Sequence, residues 1–332
     1  MESISVPNCS RCNLPSIIHQ PYSGQSLCGR CLKKSVRRKV GKELRLQFGD
    51  SLSSEKTLLV AISGGKDSAV LLEIICHFLK KRRDLKIVAG CVDEGIEGYR
   101  KPSLEMAREL ANELGVEFET VSYPELGFEE MDRVAEMIPV IGKNNPEAKG
   151  MAPCAFCGVF RRQGLNHLAQ RVGADFIATG HNLDDMAQTV LMNMQKGDID
   201  RTLRLAPHLW APLKGLAPRI VPLRWIPEQE IQAYAMTCGL KIHHDECPHA
   251  THALRQLHRD VIATMEESVP GSRHGLVHSA DGIKELYVKT QDGLELNHVK
   301  ETNSCNVCGE ITSQLTCKAC LMKSWILNQE EE

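Results

Sequence analysis

The sequence predicts an α/β fold, a doubly wound parallel sheet, with a small cysteine-rich module at each terminus. In the middle of the chain, short apolar runs alternate with longer amphipathic helical patterns, which is typical of a parallel sheet covered on both faces. Eight of the fourteen cysteines lie in four Cys-x-x-Cys pairs, two near each end. A chain of 332 residues is long enough for one large core with such appendages.

The composition is ordinary for a globular protein, with 42% hydrophobic and 25% charged residues. A formal net charge of −2 gives no global attraction to nucleic acid, so any such contact needs a local basic patch. The first residues lack the order of a signal peptide, and no segment is apolar enough to span a bilayer. We therefore expect a cytoplasmic protein without membrane contact, whose thiols bind metal rather than form disulfides.

Both terminal modules have the ligand spacing of zinc ribbons. In residues 1–32 the two pairs are separated by fifteen residues, and in residues 300–324 by eight. Four thiolates complete a tetrahedral structural site and leave no coordination position for catalysis. The predicted ligands are Cys9, Cys12, Cys28 and Cys31 for one zinc ion and Cys305, Cys308, Cys317 and Cys320 for the other.

A basic linker, residues 33–56, follows the first ribbon and contains most of a predicted helix at 32–48. Lysines and arginines at positions 34, 37, 38, 42 and 45 share one helix face. A solvated surface is the simplest interpretation of such a face. Because the helix follows a zinc ribbon, the alternative interpretation, contact with the phosphates of a nucleic acid, becomes more favoured.

The predicted catalytic domain, residues 57–285, begins with an apolar strand at 57–62 and a turn into a helix. Glycines in the turn let the backbone approach a ligand, and the free N–H groups of the helix start favour an anion. The turn therefore predicts phosphate or pyrophosphate binding, although its spacing is neither that of a Walker A loop nor Gly-x-Gly-x-x-Gly. Its sequence is Ser63-Gly64-Gly65-Lys66-Asp67-Ser68.

Polar residues follow two further strands. Asp93 ends the second strand, and Gly180, His181 and Asn182 follow the fourth. The carboxyl ends of parallel strands meet at the crevice where ligands bind, so Asp93 is a candidate for Mg²⁺ or substrate contact. Strands are predicted at 86–92, 116–121, 175–179 and 220–223, with helices at 102–114, 128–138, 154–172, 183–196, 228–239 and 250–267 and a loop at 142–153.

A fifth Cys-x-x-Cys pair, Cys154 and Cys157, opens a helix in the middle of the chain. The helix N-terminus and the nearby Arg161 and Arg162 favour thiolates. Cys247 is the isolated thiol that could complete a three-cysteine set. A second candidate surface for nucleic acid is formed by arginines among prolines, namely Arg201, Arg204, Arg219 and Arg224.

Together these motifs resemble the PP-loop ATP pyrophosphatases, which cleave ATP between the α and β phosphates and adenylate a substrate. Within that group the chain is similar to the zinc-ribbon-bearing archaeal and eukaryotic enzymes that put sulfur on C2 of a tRNA uridine. The resemblance covers nearly the whole chain. It is carried by both ribbons, Ser63–Ser68, Val92-Asp93-Glu94-Gly95, Cys154-x-x-Cys157-Gly158, Thr179-Gly180-His181-Asn182-x-Asp184-Asp185 and Glu246-Cys247-Pro248.

The resemblance implies an adenine nucleotide alpha hydrolase-like fold with ATP and Mg²⁺ at the turn. It implies a [4Fe-4S] cluster on Cys154, Cys157 and Cys247, with one iron open to sulfide. Some relatives have lysine in place of Arg161; because the pKa of arginine is too high for an acid, Arg161 suits an electrostatic clamp. The expected catalytic residues are Lys66, Asp93, Arg161 and Asp185.

The implied partners are tRNA, a sulfur donor (sulfide or a ubiquitin-like sulfur-carrier protein) and a second copy of the chain. The wobble position of the anticodon is favoured over the T loop as the target. Three alternatives stay open. The cysteines could carry a persulfide without a cluster, the enzyme could be a small-molecule adenylating amide-forming enzyme, or the chain could be a non-catalytic tRNA-binding or sulfur-carrier scaffold.

Overall fold

The structure, a computed structural model, describes residues 6–49, 55–208, 215–252, 255–291, 303–312 and 314–328. Within these ranges the strands are β1 (Ile18–Gln20), β2 (Gln25–Leu27), β3 (Lys56–Ala61), β4 (Leu85–Asp93), β5 (Glu117–Ser122), β6 (Phe176–Ala178), β7 (Arg219–Ile220), β8 (Asn303–Ser304) and β9 (Ile311–Thr312). Single 3-10 helical turns lie at Pro124–Leu126, Pro146–Ala148 and Pro248–His252. The helices are α1 (Gly29–Phe48), α2 (Lys66–Leu79), α3 (Arg100–Glu113), α4 (Met131–Asn144), α5 (Pro153–Arg171), α6 (Leu183–Gln195), α7 (Ile199–Leu203), α8 (Glu228–Cys238), α9 (Arg255–Ser268), α10 (Ser272–Gln291) and α11 (Lys318–Leu327).

The central sheet has five parallel strands in the order β5-β4-β3-β6-β7. Side chains of β3 alternate between its two faces. Leu58 and Val60 pack into a core that includes α1, α2, α3 and α8, whereas Leu59 packs into a core that includes α4, α5 and α11. The predicted doubly wound α/β fold is confirmed.

The long helix α4 differs from the sequence prediction, which ended it near residue 138 and placed a loop from residue 142. The helix runs through Pro139 to Asn144. Its buried residues Met131, Val134, Met137 and Ile141 recur at helical spacing, so packing against α5 outweighs the hydrogen bond that proline removes.

Three helices were not predicted, namely α7, α10 and α11. The inner face of α10 contains the buried Arg273 and Lys284 beside Val277 and Ala280, so its sequence shows no clear apolar period. Asp281 of α10 also pairs through both carboxylate oxygens with Arg224 at 2.6 Å. Arg224 is therefore buried in an ion pair and does not belong to a nucleic-acid surface.

Helix α1 presents a basic face, as predicted, with one correction. Lys34, Arg38, Lys42 and Arg45 point outward along it. Arg37 instead turns inward, where its Nε donates to the Tyr234 hydroxyl at 2.8 Å and its guanidinium pairs with Glu73 of α2. The helix surface therefore has four outward cations in a row.

In the part of the chain that the structure describes, every helix is too short or too polar to cross a bilayer.

Candidate functional site

The turn between β3 and α2 is built around two glycines with different tasks. Gly64 has φ +87°, and a Cβ there would lie 2.1 Å from the carbonyl oxygen of Ser103, so packing against α3 requires the glycine. A Cβ on Gly65 would meet only the Ser63 hydroxyl at 3.7 Å. The Gly65 side of the turn is therefore the side that a phosphate can approach.

Ser68 braces this turn from within. Its Oγ accepts a hydrogen bond from the Ser63 amide at 3.1 Å and donates to the Gly65 carbonyl at 2.9 Å. The Ser63 hydroxyl lies 3.3 Å from that of Ser68. The serines thus fix the loop shape, while the amides at the start of α2 supply an anion site.

Lys66 is held between two carboxylates at the start of α2. Its Nζ lies 3.1 Å from Asp67 Oδ2 and 2.8 Å from Glu228 Oε1 of α8. Burial disfavours the charged amine, but the hydrogen bonds and charges of Glu228 and Asp67 outweigh it and raise the pKa of Lys66. Burial raises the pKa of Asp67 as well, against the lowering effects of Lys66 and Asn182.

The turn after β6 packs directly on the start of α2. A Cβ on Gly180 would lie 3.2 Å from the Ser68 amide nitrogen, so the two turns approach closely. Asn182 caps α6 in a reciprocal capping box with Asp185, and its Nδ2 donates to Asp67 Oδ1 at 2.8 Å. His181 is exposed beside them, with Nδ1 3.0 Å from the Thr179 hydroxyl.

The end of β4 carries an ion-pair network that the sequence did not reveal. Glu94 is buried and lies 2.7 Å from Arg100 Nε and 2.7 Å from Arg161 Nε. Arg100 also donates to the Ser63 carbonyl at 3.1 Å, which connects the network to the nucleotide turn. Asp93 accepts from the Gly95 amide at 3.0 Å and lies at the same sheet edge.

The three middle cysteines lie next to that network. Arg161 Nη2 donates to Cys157 Sγ at 3.2 Å, and the buried Tyr123 hydroxyl donates to the Cys157 carbonyl at 3.1 Å. Burial raises the pKa of Cys247, and the charges of Cys157 and Cys154 raise it further, so the three thiols are close enough to interact electrostatically; their Sγ atoms do not all lie within 4.8 Å of one another, unlike those of the terminal sets. The Glu94 carboxylate raises the pKa of Arg161 above its usual range, which fits a permanent cation.

The three-cysteine site is supported from behind by the C-terminal module. Phe156, between the two cysteines of α5, is fully buried, and its ring centroid lies 6.3 Å from that of Trp325 in α11. Asn166 of α5 donates to Glu310 at 2.6 Å, and Gln163 donates to Cys308 Sγ at 3.6 Å. The module is thereby attached to the helix that carries Cys154 and Cys157.

Each terminal module brings its four cysteines together, as predicted. In both sets the four Sγ atoms lie within 4.8 Å of one another, so each can bind a metal ion. Burial opposes ionisation of Cys9 and Cys305, but N–H donors lower both pKa values to about 6. Such donors favour thiolates before a metal arrives. The sets are Cys9, Cys12, Cys28 and Cys31, and Cys305, Cys308, Cys317 and Cys320.

Four residues of the site were not predicted from the sequence: Arg100, Tyr123, Glu228, and Glu94 in its role as the centre of the ion-pair network. Glu94 follows a strand and was visible as a charged residue after an apolar run. Glu228 gave no local signal, because its partner Lys66 is far away in the chain.

This geometry is that of an α/β protein with an anion-binding turn at the start of a helix and two four-cysteine modules that can each bind a metal ion. Residues 33–265 match the family model described as PP-loop domain, and residues 8–33 match that of the 2-thiouridine synthetase TtuA N-terminal LIM domain. The chain belongs to the PP-loop family of tRNA 2-thiolation proteins.

Similar proteins span nearly the same length. The tRNA 2-thiolation protein NcsA of Haloferax volcanii is 35% identical over 94% of this chain and 97% of its own. Cytoplasmic tRNA 2-thiolation protein 1 of Danio rerio is 33% identical over 95% of this chain and 87% of its own. A solved structure of the U34-tRNA thiolase NcsA from Methanococcus maripaludis with its [4Fe-4S] cluster has a TM-score of 0.76 and 32% identity, covering 96% of both chains.

Proposed function

We propose that this chain is an ATP-dependent sulfurtransferase that replaces the C2 oxygen of the wobble uridine of tRNA with sulfur. One observation carries the proposal: the segment that contains Cys247 is tied to the nucleotide turn. The His243 amide donates to the Gly64 carbonyl at 2.9 Å, four residues before Cys247. This contact supports a nucleotide turn and a thiol set that act on the same substrate, and the named target of the NcsA from M. maripaludis supports the wobble position.

The protein groups suit an adenylation step. The α2 amides and Lys66 stabilise negative charge on the phosphates, and Asp67 and Asp93 are oxygen ligands for Mg²⁺. The uridine C2 oxygen attacks the α-phosphate of ATP, and pyrophosphate leaves. Sulfide then attacks C2, and the C–O bond to AMP breaks. The base must leave its stack to enter the crevice.

The three-cysteine site fits a [4Fe-4S] cluster, the group that the M. maripaludis protein holds. Cys154, Cys157 and Cys247 supply three thiolates, and Arg161 and Tyr123 place donors beside Cys157. When bound, the cluster supplies an iron with an open position for sulfide. In this proposal Arg161 keeps a fixed positive charge beside Cys157, and His181, Asn182 and Asp185 shape the nucleotide side of the crevice.

The terminal modules are proposed as zinc ribbons, because four thiolates are typical of structural zinc. The four outward cations of α1 are proposed to contact tRNA phosphates; among the described residues none of them has an acidic partner. A cytoplasmic location, a homodimer, and sulfide or a ubiquitin-like carrier as sulfur donor complete the proposal. The proposal keeps the predicted domain boundaries, with the N-terminal ribbon at 1–32, the linker at 33–56, the catalytic domain at 57–285 and the C-terminal ribbon at 300–324.

In vitro thiolation tests the reaction. Anaerobically reconstituted chain is incubated with unmodified tRNA, ATP-Mg²⁺ and sulfide, and nucleosides are mapped by mass spectrometry. We expect 2-thiouridine at the wobble position, lost in Cys247→Ala and retained in Cys238→Ala, a half-buried thiol of α8 outside the site.

Other results would redirect the proposal. Thiolation of the T loop would change the target. Thiolation by iron-free protein supplied with polysulfide, whose sulfane sulfur already has the oxidation state of a persulfide, with that persulfide detected on Cys154 or Cys157, would replace the cluster by the persulfide route. AMP formation with a small amine acceptor and none with tRNA would favour the amide-forming alternative.

A further inference from the structure

Cys247 reaches the other two cysteines without the help of a regular element. Between α8 and the 3-10 turn Pro248–His252, the chain has no strand or helix among the described residues. One anchor is the His243 amide on the Gly64 carbonyl. Six peptide steps separate His243 from His249, which allows a reach of about 20 Å, so a second anchor must fix the thiol.

His249 is that second anchor, because it contacts both arms of the site. On one side, the Cys247 carbonyl accepts from the Ala250 amide at 2.9 Å, which closes a turn that contains His249. On the other side, the His249 carbonyl oxygen accepts from Cys154 Sγ at 3.8 Å. Wherever the His249 backbone is fixed, Cys247 and Cys154 are fixed relative to each other.

The His249 side chain is held by Asp132. Nε2 lies 2.6 Å from Asp132 Oδ1, and the other carboxylate oxygen accepts from the Glu97 amide at 2.8 Å. Asp132 lies in the first turn of α4, where the helix dipole favours an acidic side chain. Since α4 is secured by a buried apolar face, the carboxylate is a firm support for an irregular segment.

We propose that the Asp132–His249 pair is a clasp that positions Cys247 against Cys154 and Cys157. The inference rests on the proposed function, because it explains how the three-thiolate site is closed. His249 and Asp132 are positioning residues and touch no substrate. Without the clasp, Cys247 keeps only its partly buried packing against the core and the anchor at His243, so its effective concentration at the other thiols falls.

The test uses the full-length chain with both terminal modules loaded with zinc and with no cluster, and a readout that needs no thiolation. Reduced protein is treated with diamide, which takes two electrons and two protons from a pair of thiols, and disulfides from Cys247 to Cys154 or Cys157 are quantified by peptide mapping. We expect about tenfold slower formation in His249→Ala, in Asp132→Ala and in the double variant, with no added loss in the double.

Two variants control the experiment. Glu136→Ala removes an exposed carboxylate of the same helix that pairs only with Arg133, at 3.6 Å, among the described residues, and should keep the wild-type rate. His249→Gln keeps a side-chain amide that can donate to Asp132 and should recover most of the rate. Wild-type rates in both alanine variants, or losses that add in the double variant, would overturn the clasp.

Iron uptake separates this inference from the proposed function. After anaerobic reconstitution, we expect His249→Ala to retain less iron per chain than wild type and to lose it faster to a chelator. If wild-type protein binds no iron, the cluster hypothesis is wrong. The rates of disulfide formation would still test the clasp in that case. Unchanged unfolding temperatures and ATP binding in the variants show that the fold is intact.

Discussion

Arg161 Nε lies 2.7 Å from Glu94 Oε1, and the same guanidinium donates to Cys157 Sγ at 3.2 Å. One side chain therefore connects the buried acid at the end of β4 with the three-cysteine site. Glu94 in turn pairs with Arg100, which contacts the carbonyl of Ser63 in the nucleotide turn. Nucleotide turn and thiols are joined by a continuous set of charged contacts.

Glu94→Gln should destabilise the protein strongly. The change leaves the buried Arg100 without its counter-ion, and breaking a buried pair from one side typically costs about 3–5 kcal/mol. Urea unfolding measures the loss. Glu129→Gln, an acid on the loop before α4, is the control and should change little; equal stability of the two variants would argue against the pair's importance.

Arg161→Lys should reduce thiolation by about tenfold while retaining charge, because one ammonium cannot reproduce both guanidinium contacts. The pH profile separates a clamp from an acid. Wild type should show no alkaline limb from this position, whereas the lysine variant should gain one as the amine loses its proton. An alkaline limb present in wild type and absent in the variant would contradict the clamp.

Asn182→Asp should shift the acid limb of the pH profile of kcat/KM for ATP to higher pH. In the proposed function Mg²⁺ binds the Asp67 carboxylate, whose pKa burial raises, so activity should fall with decreasing pH earlier than for an ordinary aspartate. The variant keeps an N-cap acceptor but replaces a donor 2.8 Å from Asp67 by a negative charge. The measurement is kcat/KM for ATP against pH, with Asn182→Ser as the uncharged capping control.

Glu228→Gln should lower KM for ATP about two- to fivefold, the range expected from a half-exposed ion pair. The carboxylate competes with the phosphates for Lys66, so its neutralisation frees the ammonium. The change in kcat should be smaller. A higher KM would mean that Glu228 orients Lys66 productively instead of competing for it.

Replacing Lys34, Arg38 and Lys42 by glutamine should weaken tRNA binding uniformly across tRNA species. The slope of log K against log salt should decrease in magnitude by about one for each phosphate that the protein no longer neutralises. Lys86→Gln serves as control, since this exposed lysine pairs with Glu117 at 2.8 Å at the amino end of the sheet. An unchanged slope in the triple variant would place the tRNA elsewhere.

The sequence predicts those structural features that are determined by residues close together in the chain. The β3 turn is recognisable because strand, glycines and helix start are contiguous, and the four-cysteine sets because their spacing is local. Contacts between distant segments are invisible in one sequence: Glu228 on Lys66, Arg100 on Ser63 and Asp132 on His249 each follow from tertiary packing. Helix α10 was not predicted for a different reason. Its buried face contains Arg273, which pairs with Asp184 at 2.7 Å, so the sequence of that face looks polar although it faces the core.

The contact of Phe156 with Trp325 connects the C-terminal four-cysteine module to the helix that carries Cys154 and Cys157. Because α11 begins just after Cys317, whose Sγ accepts from the Cys320 amide, a metal ion bound by that module would also fix the wall behind Cys154 and Cys157. In the proposed function, a cell deprived of that metal would therefore lose sulfur transfer at a site that never binds it. Trace-metal supply and the decoding of tRNA would be coupled through the packing of this module against α5.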